Sequence, residues 1–204
     1  MDLPEDLTLP LERGAPWWYW LGGRPALDFT NTLRERWRRR VETLVTVEDL
    51  AEWLVAAGLL SSPPVVADAL LVRARELREA IDAGVTSVLA GRPVPDAALA
   101  VIAREVPTAV TSEEAVRADD GSVALRPATP ADPATHALGL IARDAARMFS
   151  AHESARIRVC ASETCSARFF DRSPAAGRRW CSSRACGNVE KARRHRRRQR
   201  EKIA

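Results

Sequence analysis

Apolar residues recur at helical spacing through much of the first three quarters of the chain. A helix is predicted to begin at Leu27, because Phe29 and Leu33 follow at helical intervals. Trp37 continues the same four-residue spacing and would share the buried face. The arginines at the end of this helix are interpreted as a solvated helix end, with phosphate contact as the alternative. They are Arg34, Arg36, Arg38, Arg39 and Arg40.

Four more helices are predicted in the same part of the chain. Thr46 and Asp49 form an imperfect capping box at the start of one of them, and Gly58 marks its stop. Gly84 is a candidate break in the longest one, because glycine weakens a helix interior. The predicted spans are Thr46 to Ala57, Ser62 to Leu89, Asp96 to Arg104, and Thr129 to Phe149.

The pattern changes to short extended segments between residues 110 and 126. Segments 110–117 and 122–126 flank Asp119-Asp120-Gly121, which predicts a β-hairpin. The body of the protein is therefore predicted to be mainly helical with one small hairpin, and the fold class is α+β. Residues 1–153 are expected to form this N-terminal domain, and residues 154–204 a second, C-terminal one.

An aromatic patch, Trp17-Trp-Tyr-Trp20, precedes the first predicted helix. Aromatic residues this close in sequence are typical of the edge of a core, because their burial dominates core energetics. A ligand cage is the alternative interpretation.

Charge divides the chain into two unlike parts. The 204 residues carry a net charge of +4, but residues 156–204 hold fifteen Lys/Arg against four Asp/Glu. Residues 1–155 hold sixteen Lys/Arg against twenty-three Asp/Glu, so an acidic body precedes a basic tail. This asymmetry predicts a polyanionic partner for the tail, or a tail that rests on its own acidic body.

Several classes of protein are disfavoured by the sequence. It has no run of eighteen apolar residues, so no membrane-spanning helix is expected. The acidic start, Met1 to Asp6, does not resemble a secretory signal, so a cytoplasmic location is expected. No catalytic motif is present, and His136, His152 and His195 are scattered, so the protein is not expected to be an enzyme.

All four cysteines lie in the last quarter of the chain, as two Cys-x4-Cys pairs separated by fifteen residues. Four thiolates match the tetrahedral coordination of one structural zinc ion and leave no open position for catalysis. Disulfides would need an oxidising compartment, and an iron–sulfur cluster a different spacing. His195 is a weaker candidate ligand because it lies within an arginine run. The predicted zinc ligands are Cys160, Cys165, Cys181 and Cys186.

The C-terminal unit has few large apolar side chains. Val159, Phe169, Phe170 and Trp180 are its candidate core. A domain of about fifty residues with so small a core needs a metal to fold. The predicted architecture is a treble-clef- or ribbon-like zinc finger that ends in a basic helix.

A polybasic helix is predicted directly behind the last cysteine, with Asn188 as its N-cap. A metal-stapled finger that carries such a helix is typical of proteins that contact nucleic-acid phosphates. A solvated tail without a ligand is the alternative. The candidate nucleic-acid-binding residues are Arg178, Arg179, Asn188, Lys191, Arg193, Arg194, Arg196, Arg197, Arg198 and Arg200.

Short motifs surround the cysteines, namely Phe169-Phe-Asp171, Arg178-Arg-Trp-Cys-Ser182 and Cys186-Gly-Asn188. With the two cysteine pairs they resemble the CGNR-type zinc finger of bacterial regulators. The segment Leu21-Gly-Gly-Arg-Pro-Ala-Leu-Asp-Phe-Thr-Asn-Thr-Leu33 is similar to the opening of the ABATE domain that precedes that finger. Val189 departs from the pattern, because the family has an arginine there.

The resemblance implies a stress-induced transcription regulator with one structural zinc ion. The leading hypothesis is a DNA-binding regulator whose body senses an unidentified signal or forms a homodimer, and whose basic helix docks on duplex DNA. An RNA- or ribosome-associated factor is the second hypothesis, since arginine-rich helices also bind structured RNA. A redox sensor that ejects zinc on cysteine oxidation is the third.

Overall fold

The computed structural model of the protein describes residues 18–203, with side chains described as far as residue 199. Each strand pairs only with its neighbour in sequence, in three two-stranded antiparallel sheets, so the α+β prediction is confirmed. The elements are α1 (Pro25–Thr30), β1 (Leu33–Arg34), β2 (Val41–Glu42), α2 (Val47–Ala56), α3 (Asp68–Leu89), α4 (Asp96–Glu105), β3 (Glu113–Arg117), β4 (Val123–Pro127), α5 (Pro133–Met148), β5 (Ile157–Val159), β6 (Arg168–Phe170) and α6 (Asn188–Ile203).

Helix α3 lies at the centre of the body and contacts α1, α2, α4 and α5. Each of these helices turns an apolar stripe inward, as expected for surface helices that share one core. The largest side chains that this arrangement removes from solvent are Phe29, Trp53, Leu77, Ile81, Leu138 and Ile141.

The aromatic patch lies at the edge of this core. Trp18 is half-buried and packs against the core cluster, while Trp20 is 46% exposed with its ring centroid 5.7 Å from that of Trp53. The core-edge interpretation is therefore confirmed for Trp18 and Trp20, and Trp17 lies outside the described residues.

Local signals placed several elements correctly. The capping box of α2 is complete, because the Thr46 hydroxyl accepts from the Asp49 amide and the Asp49 carboxylate accepts from the Thr46 amide. Gly58 ends that helix with a φ of 70°. Helix α4 matches its prediction to within one residue, and the predicted hairpin is present as β3 and β4.

The predicted helix from Leu27 through Trp37 is wrong. Helix α1 ends at Thr30, and Leu33 then pairs with Glu42 across a short antiparallel ladder. Glu35 and Arg40 adopt positive φ values of 47° and 49° between the strands, which an α-helix excludes.

The arginines of this segment are therefore not a solvated helix end, because the segment between β1 and β2 is a loop. Arg36 forms an ion pair with Glu79 on α3, and Arg39 forms one with Glu35. The sequence pattern predicted that these arginines would be solvated, whereas Arg36 and Arg39 form ion pairs within the protein.

Two other helices begin later than predicted. Helix α3 starts at Asp68, and residues 63–67 before it form no regular element; within that segment Pro64 disfavours helical backbone at Pro63. Helix α5 starts at Pro133, where the Asp132 carboxylate accepts a hydrogen bond from the Thr135 amide. Gly84 does not break α3, and a Cβ there would lie 2.6 Å from the ring of Phe149, so the glycine makes room for that ring.

A buried ion pair joins the β1–β2 hairpin to α3. Arg78 donates to both carboxylate oxygens of Glu42, at 2.5 and 2.6 Å, and both residues are only 3% exposed. The Glu42 carboxylate also accepts from the amides of Thr43 and Leu44, each at 3.0 Å. Burial lowers the pKa of Arg78, but the Glu42 and Glu79 carboxylates together more than offset this effect and raise the pKa overall.

Replacing Arg78 with Ala leaves the Glu42 carboxylate buried without its cation. We expect the free energy of unfolding to fall by about 3–5 kcal/mol, measured by urea denaturation. Arg39→Ala is the matched control, because Arg39 is exposed and pairs with Glu35 at the surface, where ion pairs contribute little. Equal losses for the two variants would contradict the role assigned to the buried pair.

Candidate zinc site and nucleic-acid-binding helix

The two cysteine pairs reach one point from different elements. Cys160 and Cys165 lie in the loop that connects β5 to β6, and the Cys160 amide extends the ladder by donating to the Ala167 carbonyl at 2.9 Å. Cys181 and Cys186 lie at the turn that leads into α6. A hairpin pair followed by a pair at the start of a helix is the treble-clef arrangement, the first of the two predicted shapes.

The sulfur positions fit one tetrahedral metal ion. All four Sγ atoms lie within 4.8 Å of one another. Cys165 Sγ is 3.8 Å from Cys181 Sγ, which is 3.7 Å from Cys186 Sγ. Zn–S bonds of about 2.3 Å in a tetrahedron place the sulfurs about 3.8 Å apart, so the four cysteines hold one structural zinc ion.

Hydrogen bonds among the thiols shift the pKa values of Cys160 and Cys181 in opposite directions. Hydrogen bonds from Cys165 and Cys181 lower the pKa of Cys160 to about 2, so one thiolate forms readily. The pKa of Cys181 is raised, because its thiol donates to Cys160 and because further negative charge would lie beside the first. Four thiolates this close together would repel one another, and a bound divalent cation offsets that repulsion.

The core of the finger differs from the predicted set. Phe169 is fully buried with the cysteines, and Trp180 and Leu21 pack against this small cluster. Phe170 instead packs against the core of the body, as does Ile157 from β5. The finger and the body therefore each contribute apolar side chains to the core of the other. Contacts cross the predicted domain boundary near residue 154.

Strand β6 is hydrogen-bonded to the body along its backbone. The side-chain amide of Asn31 donates to the Arg168 carbonyl at 2.9 Å and accepts from the Arg168 amide at 2.8 Å. The Phe170 amide donates to the Gly22 carbonyl at 2.8 Å. The side chain of Asn31 thus makes the hydrogen bonds that a neighbouring strand would make with β6. These bonds hold the finger directly against the body.

An ionic cluster reinforces this docking. The Arg168 guanidinium donates to the Asp82 carboxylate of α3 at 2.7 Å. Arg36 lies 3.4 Å from the same carboxylate, and its amide donates to the Ser166 hydroxyl at 2.8 Å. Sequence reasoning missed these residues because 86 residues separate Arg168 from Asp82. Among the docking residues, Asn31 and Gly22 had a signal, since both lie within the recognised opening segment.

The loop between β6 and the second cysteine pair is organised by a buried carboxylate. Asp171 is fully buried and accepts hydrogen bonds from the amide and hydroxyl of Ser173, at 2.9 and 2.6 Å. It also accepts from the Arg178 amide at 2.7 Å. These bonds fix the path of the chain towards Cys181, and with it the start of α6.

Helix α6 is preceded by a wide helical turn at Ser183–Gly187. The Ser182 hydroxyl accepts from the Ala185 amide at 3.2 Å and caps this turn. Asn188 has helical φ and ψ values of −71° and −38°, so the prediction that it is the N-cap is wrong. Ser182 carried the usable signal, because serine is a favoured N-cap residue.

One face of α6 is held against the loop that carries the first cysteine pair, Cys160 and Cys165. The Ser162 hydroxyl donates to the Glu190 carboxylate at 2.8 Å, and Arg193 donates to the same carboxylate at 3.0 Å. Arg193 also lies 3.5 Å from Glu163, and its side chain is 34% exposed. Arg193 is therefore engaged within the finger rather than fully presented to solvent.

The other predicted nucleic-acid-binding residues occupy different surroundings. Arg178 bends back to donate to the Cys181 carbonyl at 2.7 Å and lies over the Phe169 ring, and Arg179 lies over Trp180. The side chain of Arg200 lies outside the described residues. The predicted residues with exposed side chains are Arg178, Arg179, Asn188, Lys191, Arg194, Arg196, Arg197 and Arg198.

The fold and the four-thiolate site define a zinc-finger protein with a helical body. The chain matches the ABATE family model over residues 23–152, described as "Putative stress-induced transcription regulator", and the CGNR zinc finger model over residues 156–199. It belongs to the ABATE family, with a CGNR zinc finger behind that domain. No curated protein matches the chain.

Val189, which replaces the family arginine, lies on α6 and is 45% exposed. Within residues 18–203, every helix is too short or too polar to cross a bilayer.

The segment that docks β6 contains a carboxyl with an altered pKa. Asp28 accepts from the Gly22 amide at 2.7 Å, and the Gly22 carbonyl is the group that receives the Phe170 amide. Burial raises the pKa of Asp28 from 3.8 to about 6. A Cβ at Gly22 would lie 2.6 Å from the Asp28 amide, so only glycine allows this approach.

The protonated Asp28 carboxyl should stabilise the fold more than the charged form. This contribution is complete below about pH 4 and is lost as the pH rises through about 6. We expect Asp28→Asn to be more stable than the unmodified protein by about 1–2 kcal/mol at pH 7.5, with a smaller difference at pH 5. Asp119→Asn, in the exposed hairpin turn, is the control. A stability difference for Asp28→Asn that does not change with pH would contradict the assignment.

Cys181→Ser should abolish zinc binding, because three thiolates remain. We expect the zinc stoichiometry to fall from one to none and the amides of β5, β6 and the start of α6 to lose protection in hydrogen exchange. Since Ile157 and Phe170 belong to the core of the body, its melting temperature should fall as well. Ser183→Ala, beside the site, is the control and should retain zinc. Full zinc content in Cys181→Ser would refute the ligand assignment.

Proposed function

We propose that the protein is a cytoplasmic transcription regulator whose zinc finger presents α6 to duplex DNA. The observation that carries this proposal is the second face of α6. Lys191, Arg194 and Arg198 recur at three- and four-residue spacing there, and all three are exposed. The zinc site, the Ser162–Glu190 hydrogen bond and the docked strand β6 orient this face, so its charges are arranged before DNA binds.

The physical basis of binding is phosphate neutralisation. Each arginine or lysine that contacts a phosphate releases counterions, which makes affinity depend steeply on salt concentration. Arg178 and Arg179 come shortly before Cys181, and their exposed guanidinium groups add two cations near the second cysteine pair. In this role the protein binds rather than catalyses, since four thiolates leave zinc no open position.

A homodimer formed through the body completes the proposal. One finger with one helix contacts only a few base pairs, whereas two-fold dimers bind paired half-sites. The acidic body disfavours direct contact with the DNA backbone, which leaves it available for the partner subunit or for an effector.

The aromatic residues of the finger do not favour the RNA-associated alternative. Phe169 is fully buried with the cysteines, and Phe170 packs against the body. Trp180 is half-buried and lies under the Arg179 guanidinium. These rings support the finger and its docking, whereas base stacking on RNA requires exposed rings.

The deciding experiment compares labelled duplex DNA with a structured RNA across a salt series, with and without a zinc chelator. The proposal expects zinc-dependent binding that favours duplex DNA and weakens steeply with salt. Preference for RNA would favour the alternative, and binding that survives zinc removal would contradict the role of the finger.

Arg194→Ala combined with Arg198→Ala should weaken DNA binding at least tenfold near 150 mM salt. The slope of log K against log salt should fall by about two, one unit for each lost phosphate contact. The double variant Arg143→Ala and Arg147→Ala is the matched control, because these exposed arginines have the same spacing on α5. Unchanged slope in the α6 variant, or an equal loss in the control, would refute the assigned face.

A further inference from the structure

The β3–β4 hairpin projects from the body with little support. Its strands pair in full register, from Glu113 with Pro127 to Arg117 with Val123. Val123 is 74% exposed and Leu125 is 65% exposed. Neither strand packs extensively against another described element. An isolated two-stranded hairpin is only marginally stable in water, so this arm is suited to a partner.

The hydrogen-bond phase of the hairpin shows which backbone groups are available. The Ala118 amide donates to Ser122 at 2.9 Å, and the Ala128 amide donates to Ser112 at 2.8 Å. In an antiparallel ladder such bonded pairs alternate with non-bonded ones. Glu113, Ala115 and Arg117 therefore direct their amides and carbonyls away from β4, towards the outer edge of β3.

The two outer edges of the hairpin are not equivalent. On β4 the outward positions include Pro127, which has no amide hydrogen and so obstructs pairing at that edge. On β3 all three outward residues have an amide. The edge of β3 is therefore the one open to another strand.

The charges on the edge of β3 are complementary to those on the same edge of a second copy. The central outward residue is Ala115, and Glu113 and Arg117 lie two positions to either side of it. When a second copy of β3 pairs with the first in antiparallel orientation, centred on Ala115, Glu113 of each copy lies opposite Arg117 of the other. This arrangement forms two cross-strand ion pairs. Among the described residues neither side chain has an ion-pair partner, although Arg117 donates to the Gly121 carbonyl at 3.0 Å.

We propose that two copies of the protein associate through the free edges of their β3 strands, which forms a four-stranded antiparallel sheet across a two-fold axis. This inference rests on the proposed homodimer and names its surface. The new ladder supplies about six backbone hydrogen bonds in three bonded pairs. The two Ala115 methyl groups meet at the axis, so no bulky side chain obstructs the close approach of the strands.

The first test replaces single residues with proline at the two edges. Ala115→Pro removes an outward amide of β3 and leaves the hydrogen bonds to β4 intact. The dissociation constant of the dimer, measured by sedimentation velocity, should therefore rise at least tenfold. Leu125→Pro is the matched control, because Leu125 faces Ala115 in the register and its amide points to the outer edge of β4. It should leave the dimer unchanged. Loss of the dimer in Leu125→Pro with retention in Ala115→Pro would overturn edge pairing in favour of packing through the apolar face.

The second test reverses the charges. Glu113→Arg and Arg117→Glu each place like charges opposite one another twice, so each should raise the dimer dissociation constant about tenfold or more. The combined variant restores both pairs and should return the constant close to its original value. Additive weakening in the combined variant would overturn the proposed register, and circular dichroism confirms that each variant is folded.

The outcomes separate this inference from the proposed function. An unmodified protein that is monomeric at all concentrations would refute both the dimer and the β3 interface, whatever its DNA affinity. A stable dimer that tolerates Ala115→Pro and both single charge reversals would refute the interface alone. Neither result depends on DNA, so the proposed role of α6 is judged separately by the salt series.

Discussion

The orientation of the basic helix α6 depends on one strand, β6, which contacts both the zinc site and the helical body. On one side it follows Cys165 and buries Phe169 beside the zinc ligands. On the other side Asn31 holds the Arg168 backbone through two hydrogen bonds, and Asp82 holds its guanidinium. Because α6 is fixed to the finger and the finger to β6, the position of α6 relative to the body is set by this strand.

Zinc coordination and the docking hydrogen bonds differ in energy, and they therefore have different roles. Zinc coordination contributes on the order of 10 kcal/mol to the folding of a small finger, whereas each docking hydrogen bond contributes about 1 kcal/mol. Loss of zinc therefore unfolds the finger, while loss of one docking contact weakens the attachment of the finger to the body and leaves the finger folded.

Sequence patterns predicted the features that depend on neighbouring residues. The cysteine spacing, the Thr46–Asp49 capping box and the Asp119-Asp120-Gly121 turn are local, and the structure contains the elements they indicate. The helix predicted through Trp37 failed because pairing of Leu33 with Glu42 outweighs helical periodicity. The docking of Arg168 on Asp82 and the pairing of Arg78 with Glu42 join distant segments, and no spacing rule relates them.

Rigid docking of the finger has a consequence for the kind of DNA site that a dimer would bind. A finger on a flexible linker can reach half-sites at many separations, because its helix position is not fixed by the body. Here the Asn31, Asp82 and Gly22 contacts fix each finger, so joining two bodies at β3 would also fix the distance between the two α6 helices. Such a dimer would bind two half-sites at one separation and discriminate against others, since only that spacing lets both basic faces contact phosphates together.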